Sequence, residues 1–167
     1  MHDELTSVDM EKMRRELEYR ENELMPKILE DVKTARSFGD LSENFEYKAA
    51  KQEQRRNMSR LRYLRQMLSS AVVIDAASAQ DTAGLFDAVT LWLSDDGEET
   101  TVRFVTTLRQ NALRGLISKE SPLGRAVLGH RAGERVQVRV SEDYSYWTKI
   151  LSIVKGQDDD SLEISAY

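Results

Sequence analysis

The sequence predicts an α+β protein: an N-terminal antiparallel coiled-coil hairpin, then a small, mostly antiparallel β-sheet domain with one short helix. Three observations carry this. Over residues 8–70 the only glycine is Gly39 and the only proline is Pro26. Apolar residues there recur at three- and four-residue steps, the helical period. From residue 71 onward the apolar period becomes two, the period of a half-buried strand. The expected division is therefore an arm over 1–70, with its tip near 38–44, and a second domain over 71–167.

The arm reads as follows. Thr6 or Ser7 can cap the first helix, and Asp9 and Glu11 lie in its first turn, where carboxylates suit the positive end of the helix dipole. Met13, Leu17, Leu24, Ile28 and Ala35 follow at roughly helical intervals. Pro26 has no N–H, and in a helix interior it costs ~3 kcal/mol, so a kink or break is expected near residues 23–25. Gly39 would supply a positive φ at the hairpin turn. Tyr47, Ala50, Gln54, Asn57, Leu61, Leu64 and Leu68 then step by three and four, a coiled-coil seam with a polar middle. At ~1.5 Å per residue, ~30 residues of helix reach ~45 Å. So long an arm over so thin a core suits reaching something, and a plain dimerising coil is the alternative. Gln54 and Asn57 in the seam weigh against a long intermolecular coil, and a monomer is expected.

In the second part, "AVVID" reads as a short apolar strand. "FDAVTLWL" and "TTVRFVTT" flank Asp96-Gly97, a hairpin signal. "ERVQVRV" alternates, with Val136, Val138 and Val140 on one face, and "YWTKILSIV" is a further strand. Ser121 is an N-cap candidate, Pro122 fits the first helical position and Gly129 fits the stop. The tail "GQDDDSLEISAY" either adds an edge strand or stays loose. Phe86, Trp92, Phe104, Tyr144, Tyr146, Trp147 and Tyr167 are expected mainly as strand core, and His130 as a loop residue.

Composition excludes several chemistries. There is no cysteine, hence no thiolate or disulfide chemistry, and two histidines cannot build a His-rich metal site. No apolar run approaches ~18 residues, so neither a signal peptide nor a membrane span is expected, and the expected address is cytoplasmic. The net charge of −5 predicts no general affinity for nucleic acid. Its distribution is uneven. Residues 1–70 balance acids against bases, so the whole excess lies in 71–167. Residues 48–65 carry Lys48, Lys51, Arg55, Arg56, Arg60, Arg62 and Arg65 against Glu53 alone. Lys48, Lys51, Arg55 and Arg62 share a helix face. Such a strip suits a phosphate backbone, or else a solvated face paired to Glu21, Glu23, Glu30 and Asp31.

The tip stretch "SFGDLSENFEYKAAK" places Asp40 and Glu43 at the turn. Asp40 as N-cap with Glu43 at N3 would be a capping box for the second helix. Alternatively the carboxylates leave the turn and bind Mg²⁺. That ion takes one or two carboxylates plus water and phosphate oxygens, so two exposed acids would complete a site owned by a partner.

"GDLSENFEYKAAKQEQ" resembles the tip and second helix of the bacterial GreA/GreB transcript-cleavage factors, and "ISKESPLGRAVLGHRAGERVQV" resembles their C-terminal domain. The resemblance implies an FKBP-like second domain that docks on bacterial RNA polymerase at its secondary channel. It implies that Asp40 and Glu43 assist a catalytic Mg²⁺ in the polymerase's own site, so that backtracked RNA is cut at its nascent 3′ end and the polymerase, not this chain, is the enzyme. It further implies tip positioning by Ser42, Asn44 and Tyr47, RNA contact by Lys48, Lys51 and Arg55, and polymerase docking through Ser121, Pro122, Leu123 and Gly124. Phe45 departs from the small residue usual in that family. Arg109 and Arg114 stand in a normally acidic loop, which implies an altered docking surface and leaves open a paralogue that occupies the channel without cleaving. A prolyl isomerase is disfavoured by the scarcity of aromatics for a pocket.

Overall fold

The computed structural model describes residues 2–39 and 43–166. They form two units, one comprising residues 10–71 and the other residues 3–9 together with 72 onward.

The first unit is a helical hairpin. Helix α1 (Ser7–Tyr19) starts on a reciprocal cap: the Thr6 amide donates to Asp9 Oδ2 at 3.0 Å, and the Asp9 amide to Thr6 Oγ1 at 3.3 Å. Pro26 does not break the chain as expected. Residues Arg20–Leu24 widen into one π-helical turn, in which the Met25 amide reaches the Arg20 carbonyl, and α2 (Met25–Arg36) continues directly. Shifting the ladder to i→i−5 puts Pro26 in the first turn of the next helical segment, where a missing N–H is tolerated. After the tip, α3 (Phe45–Ser70) runs back without interruption.

The seam follows the predicted spacing. Ile28 and Val32 on α2 bury against Ala50 on α3, with Leu24 and Tyr47 beside them. Asn57, Leu61 and Leu64 are buried on α3, and Met67 sits deeper than the Leu68 expected there. Asn57 is satisfied within the hairpin, since its Oδ1 accepts from Arg20 Nη1 at 2.9 Å. Arg60 is buried too, and its guanidinium grips both oxygens of Glu16 at 2.8 and 2.9 Å.

The second unit is built on a five-stranded mixed sheet. Its strands are β3 (Ala88–Leu93), β4 (Glu99–Val105), β5 (Leu116–Ser118), β6 (Arg135–Arg139) and β7 (Ser145–Val154), in the order β5-β4-β3-β7-β6. All pairs are antiparallel except β4 with β5. The β3–β4 hairpin turns at Gly97, φ +72°, as the Asp-Gly pair predicts. Helix α4 (Pro122–Val127) packs Val127, Leu123 and Ala126 on a core of Val89, Leu91, Val102, Phe104, Val136 and Ile150. Two pairings escaped periodicity because their strands are three residues long. Strand β5 lies parallel to β4, and β1 (Glu4–Thr6) pairs in parallel with β2 (Val72–Ile74), the "AVVID" strand.

Three expectations need correction. The tail is neither a strand nor loose: Leu162 is buried with Phe86, Val105 and Leu116, and the Ser165 amide donates to the Leu108 carbonyl at 2.7 Å. The aromatics divide: Phe86 and Phe104 are core, while Tyr144 and Trp147 are nearly half exposed on β7 and the turn before it. Val140 does not share the buried face of Val136 and Val138, because it lies one residue past the end of β6 and is exposed.

Candidate functional site

The tip is closed by one amide side chain. Asn44 is the N-cap of α3: its Oδ1 accepts from the Tyr47 amide at 3.0 Å. Its Nδ2 donates to the Ala35 carbonyl at 2.6 Å, one of the carbonyls left open at the end of α2. One residue thus satisfies an orphan donor of one helix and an orphan acceptor of the other. Gly39 supplies the turn with φ +129°. This corrects the capping box on Asp40 and Glu43. The helix begins too late for Glu43 to be N3; Glu43 precedes the cap, is exposed, and has no hydrogen bond or ion pair among the described residues. Asp40 and Ser42 lie outside the described residues.

Tyr47 belongs to the seam, and its hydroxyl accepts from Arg36 at 3.3 Å. That hydrogen bond is the main influence holding the phenol below its usual pKa. The signal for Asn44 was in the sequence: an Asn three residues before the first seam residue is a helix-start pattern.

The basic face is partly structural. Arg60 and Arg65 are paired with Glu16 and Glu21 of the first helical stretch. Lys48, Lys51 and Arg55, nearer the tip, make no ion pair among the described residues, though Lys51 donates to Gln54 at 2.9 Å. With Tyr47 and Gln52 they line an open groove of about 370 Å³. Arg60 and Arg65 are therefore neutralised within the hairpin, and Lys48, Lys51 and Arg55 toward the tip are not, among the described residues.

No three acidic or histidine side chains converge on a point among the described residues. Glu43 brings a single free carboxylate, a donor set that fits completing a Mg²⁺ held elsewhere and does not fit holding one alone.

The four residues matched to docking are largely occupied with their own fold. Ser121 caps α4 through the Gly124 amide at 3.0 Å. Leu123 packs on the core, and Gly124 is buried where a Cβ would fall 2.6 Å from the Ser118 carbonyl oxygen. Only Pro122 is exposed. The reading of Arg109 as part of an altered docking surface is overturned. Arg109 is 1% exposed, donates to Asp9 Oδ1 at 2.6 Å, to Thr6 Oγ1 at 3.2 Å and to the Asp159 carbonyl at 3.1 Å, pairs with Asp158, and lies 4.8 Å over the Phe86 ring. A charge among loop residues reads as surface in a sequence; its partners come from both ends of the chain. Arg114, beside a fully exposed Leu113, does face solvent.

Comparison with known proteins matches both units. Residues 4–73 match a family model described as transcription elongation factor, N-terminal, and residues 78–155 one described as transcription elongation factor, GreA/GreB, C-term. The chain is 36% identical over 154 residues to transcription elongation factor GreA of Oenococcus oeni, covering 92% of this chain and 95% of that one. It is 41% identical over 135 residues to GreA of Thermotoga neapolitana, covering 81% and 86%. Among solved structures it is similar to GreA factor homolog 1 (Gfh1) of Thermus thermophilus, 27% identical, covering 93% of this chain and 100% of that one, at a TM-score of 0.43. Matched in both halves by the family's models and over most of its length by GreA sequences, the chain belongs to the GreA/GreB family of transcription elongation factors.

Proposed function

We propose that this protein enters the secondary channel of bacterial RNA polymerase and stimulates Mg²⁺-dependent cleavage of backtracked RNA by the polymerase active site. The observation that carries the proposal is the division of labour at the tip. Asn44 does the capping, so the Glu43 carboxylate is left exposed and uncommitted among the described residues. In this reading Asp40 and Glu43 add carboxylate oxygens to a metal whose other ligands belong to the polymerase and the RNA. Mg²⁺ in such a site activates water and stabilises the charge of the phosphodiester undergoing attack. This chain's own residues do the rest: the hairpin delivers the tip, Asn44 holds the turn, and Lys48, Lys51 and Arg55 offer positive charge to RNA phosphates. The polymerase performs the chemistry. The alternative, a non-cleaving regulator, draws on charge reversal in the 106–115 loop. With Arg109 turned inward, Arg114 is the one arginine of that loop still offered to a partner.

The test is transcript shortening in a stalled, backtracked bacterial complex with Mg²⁺, comparing wild type with Asp40→Ala and Glu43→Ala. Cleavage should fall roughly 10²-fold in each variant, the scale for losing one electrostatic stabiliser of a transition state, while polymerase binding is retained. A wild type that binds polymerase and cuts nothing is a channel-occupying regulator.

A further inference from the structure

Two phenylalanines stand exposed near the tip. Phe45, the first residue of α3, is 81% exposed, and Phe38, just past α2, is 65% exposed. Neither belongs to the hairpin seam, which at this end is made by Val32, Tyr47 and Ala50. Together with Glu43, Asn44 and Glu46 they line an open concavity of about 520 Å³. The groove of Lys48, Lys51 and Arg55 follows directly along the same helix. Lys48 Nζ lies 5.6 Å from the centroid of the Phe45 ring, so aromatic and cation already form one surface. Exposed aromatic rings beside a track of unpaired cations are the physical signature of single-stranded nucleic-acid binding, because every base has a π-face and every linkage a charge. Glu43 and Glu46 flank the rings and repel phosphate, so the concavity suits a base and the adjoining groove suits the backbone.

We propose that Phe45, with Phe38 beside it, forms a stacking platform for an unpaired nucleobase of the extruded RNA 3′ segment, whose phosphates run along Lys48, Lys51 and Arg55. The proposal rests on the secondary-channel reading above and adds a substrate contact to it. Stacking would hold the RNA end against the acidic tip without reading its sequence.

The test uses a backtracked bacterial polymerase complex whose RNA carries 2-aminopurine at its 3′ end, with Ca²⁺ replacing Mg²⁺ so that the RNA stays intact. Wild type and Phe45→Trp should quench the fluorophore. Phe45→Leu, which keeps apolar bulk but has no ring, should need on the order of tenfold more protein for the same quench or lose it, with polymerase affinity unchanged. Quenching by Phe45→Leu equal to wild type, or no quenching by wild type, overturns the proposal. So does a loss of polymerase affinity in Phe45→Leu, which would assign the ring to a protein contact. Cleavage assayed separately with Mg²⁺ distinguishes the two readings. Quenching without cleavage removes the cleavage role alone; cleavage without quenching removes the stacking platform alone.

Discussion

In the sheet unit Arg109 is fully buried among Asp9, Thr6, Asp158 and the Phe86 ring, and Lys155 donates to buried Asp87 at 2.6 Å as well as to Ser78, Ala79 and Thr82. Near the tip of the hairpin, Lys48, Lys51, Arg55 and Glu43 make no ion pair among the described residues. The difference follows from core thickness. A mixed sheet with a helix has an interior in which a charge must be paired, because an uncompensated buried ion is costly. A two-helix hairpin has little: it pairs its buried Arg60 with Glu16, while the charges near its tip stay hydrated and available to a partner. Charge inside the sheet unit is structural, and the charges of Glu43, Lys48, Lys51 and Arg55 near the tip are free to act among the described residues.

The sharpest way to break this comparison is to remove Arg109. Arg109→Met leaves Asp9 buried without its partner, and the sheet unit should lose roughly 3–5 kcal/mol, read as a fall in Tm. The Asp9→Asn/Arg109→Met pair should lose less than the sum of the two single changes. Glu43→Ala, by contrast, should leave Tm nearly unmoved while abolishing most cleavage, the opposite pattern at the opposite kind of site.

A smaller effect marks Asn44, a polar tip residue that serves the fold. Asn44→Ala removes the cap of α3 and the bond to Ala35, and should destabilise the hairpin by about 1 kcal/mol. Asn44→Asp, which keeps the acceptor but not the donor to Ala35, should recover part of that; full recovery would show that the Ala35 bond contributes nothing. Helix content on thermal melting reads both.

The smallest expected effect tests the hairpin's own internal charge. Burial raises the Glu16 pKa, but hydrogen bonds and charge from Arg60 and Arg20 outweigh it, leaving the carboxyl below its ordinary value of 4.5. A carboxyl depressed on folding stabilises above its unfolded pKa, and that contribution is lost as pH falls through the folded one. Hairpin stability should therefore decline on acidification below about 4.5, and Glu16→Gln should flatten that decline by roughly 0.5–1 kcal/mol. An unchanged acid profile in Glu16→Gln would show the Glu16–Arg60 pair to be neutral in energy.

Much of this was legible in the chain. The seam from Tyr47 to Leu64, the Ser121 cap with Pro122 behind it, the Gly97 turn and the alternation of Val136 and Val138 are local patterns, set by residues within one or two turns of each other. The π-helical turn was half legible: Pro26 announces a disturbance, but whether the helix breaks or widens depends on the packing of Leu24 and Ile28 against α3. At the tip, the acids were visible, but the freedom of Glu43 was not, since it depended on Asn44 taking both bonds.

The sequence by itself determined the two grammars, the hairpin turn, the basic and acidic residues near the tip and, through resemblance, the family. These are carried by periodicity and by contiguous motifs. Only the tertiary structure decided which charges are spoken for. Arg109 meets Asp9, a hundred residues away, and Asp158 from the tail, while Lys51 and Arg55 meet no acid among the described residues. All five are simply charged letters in the sequence. What separates them is whether the fold excludes water around them, and that depends on segments distant in the chain arriving at one place.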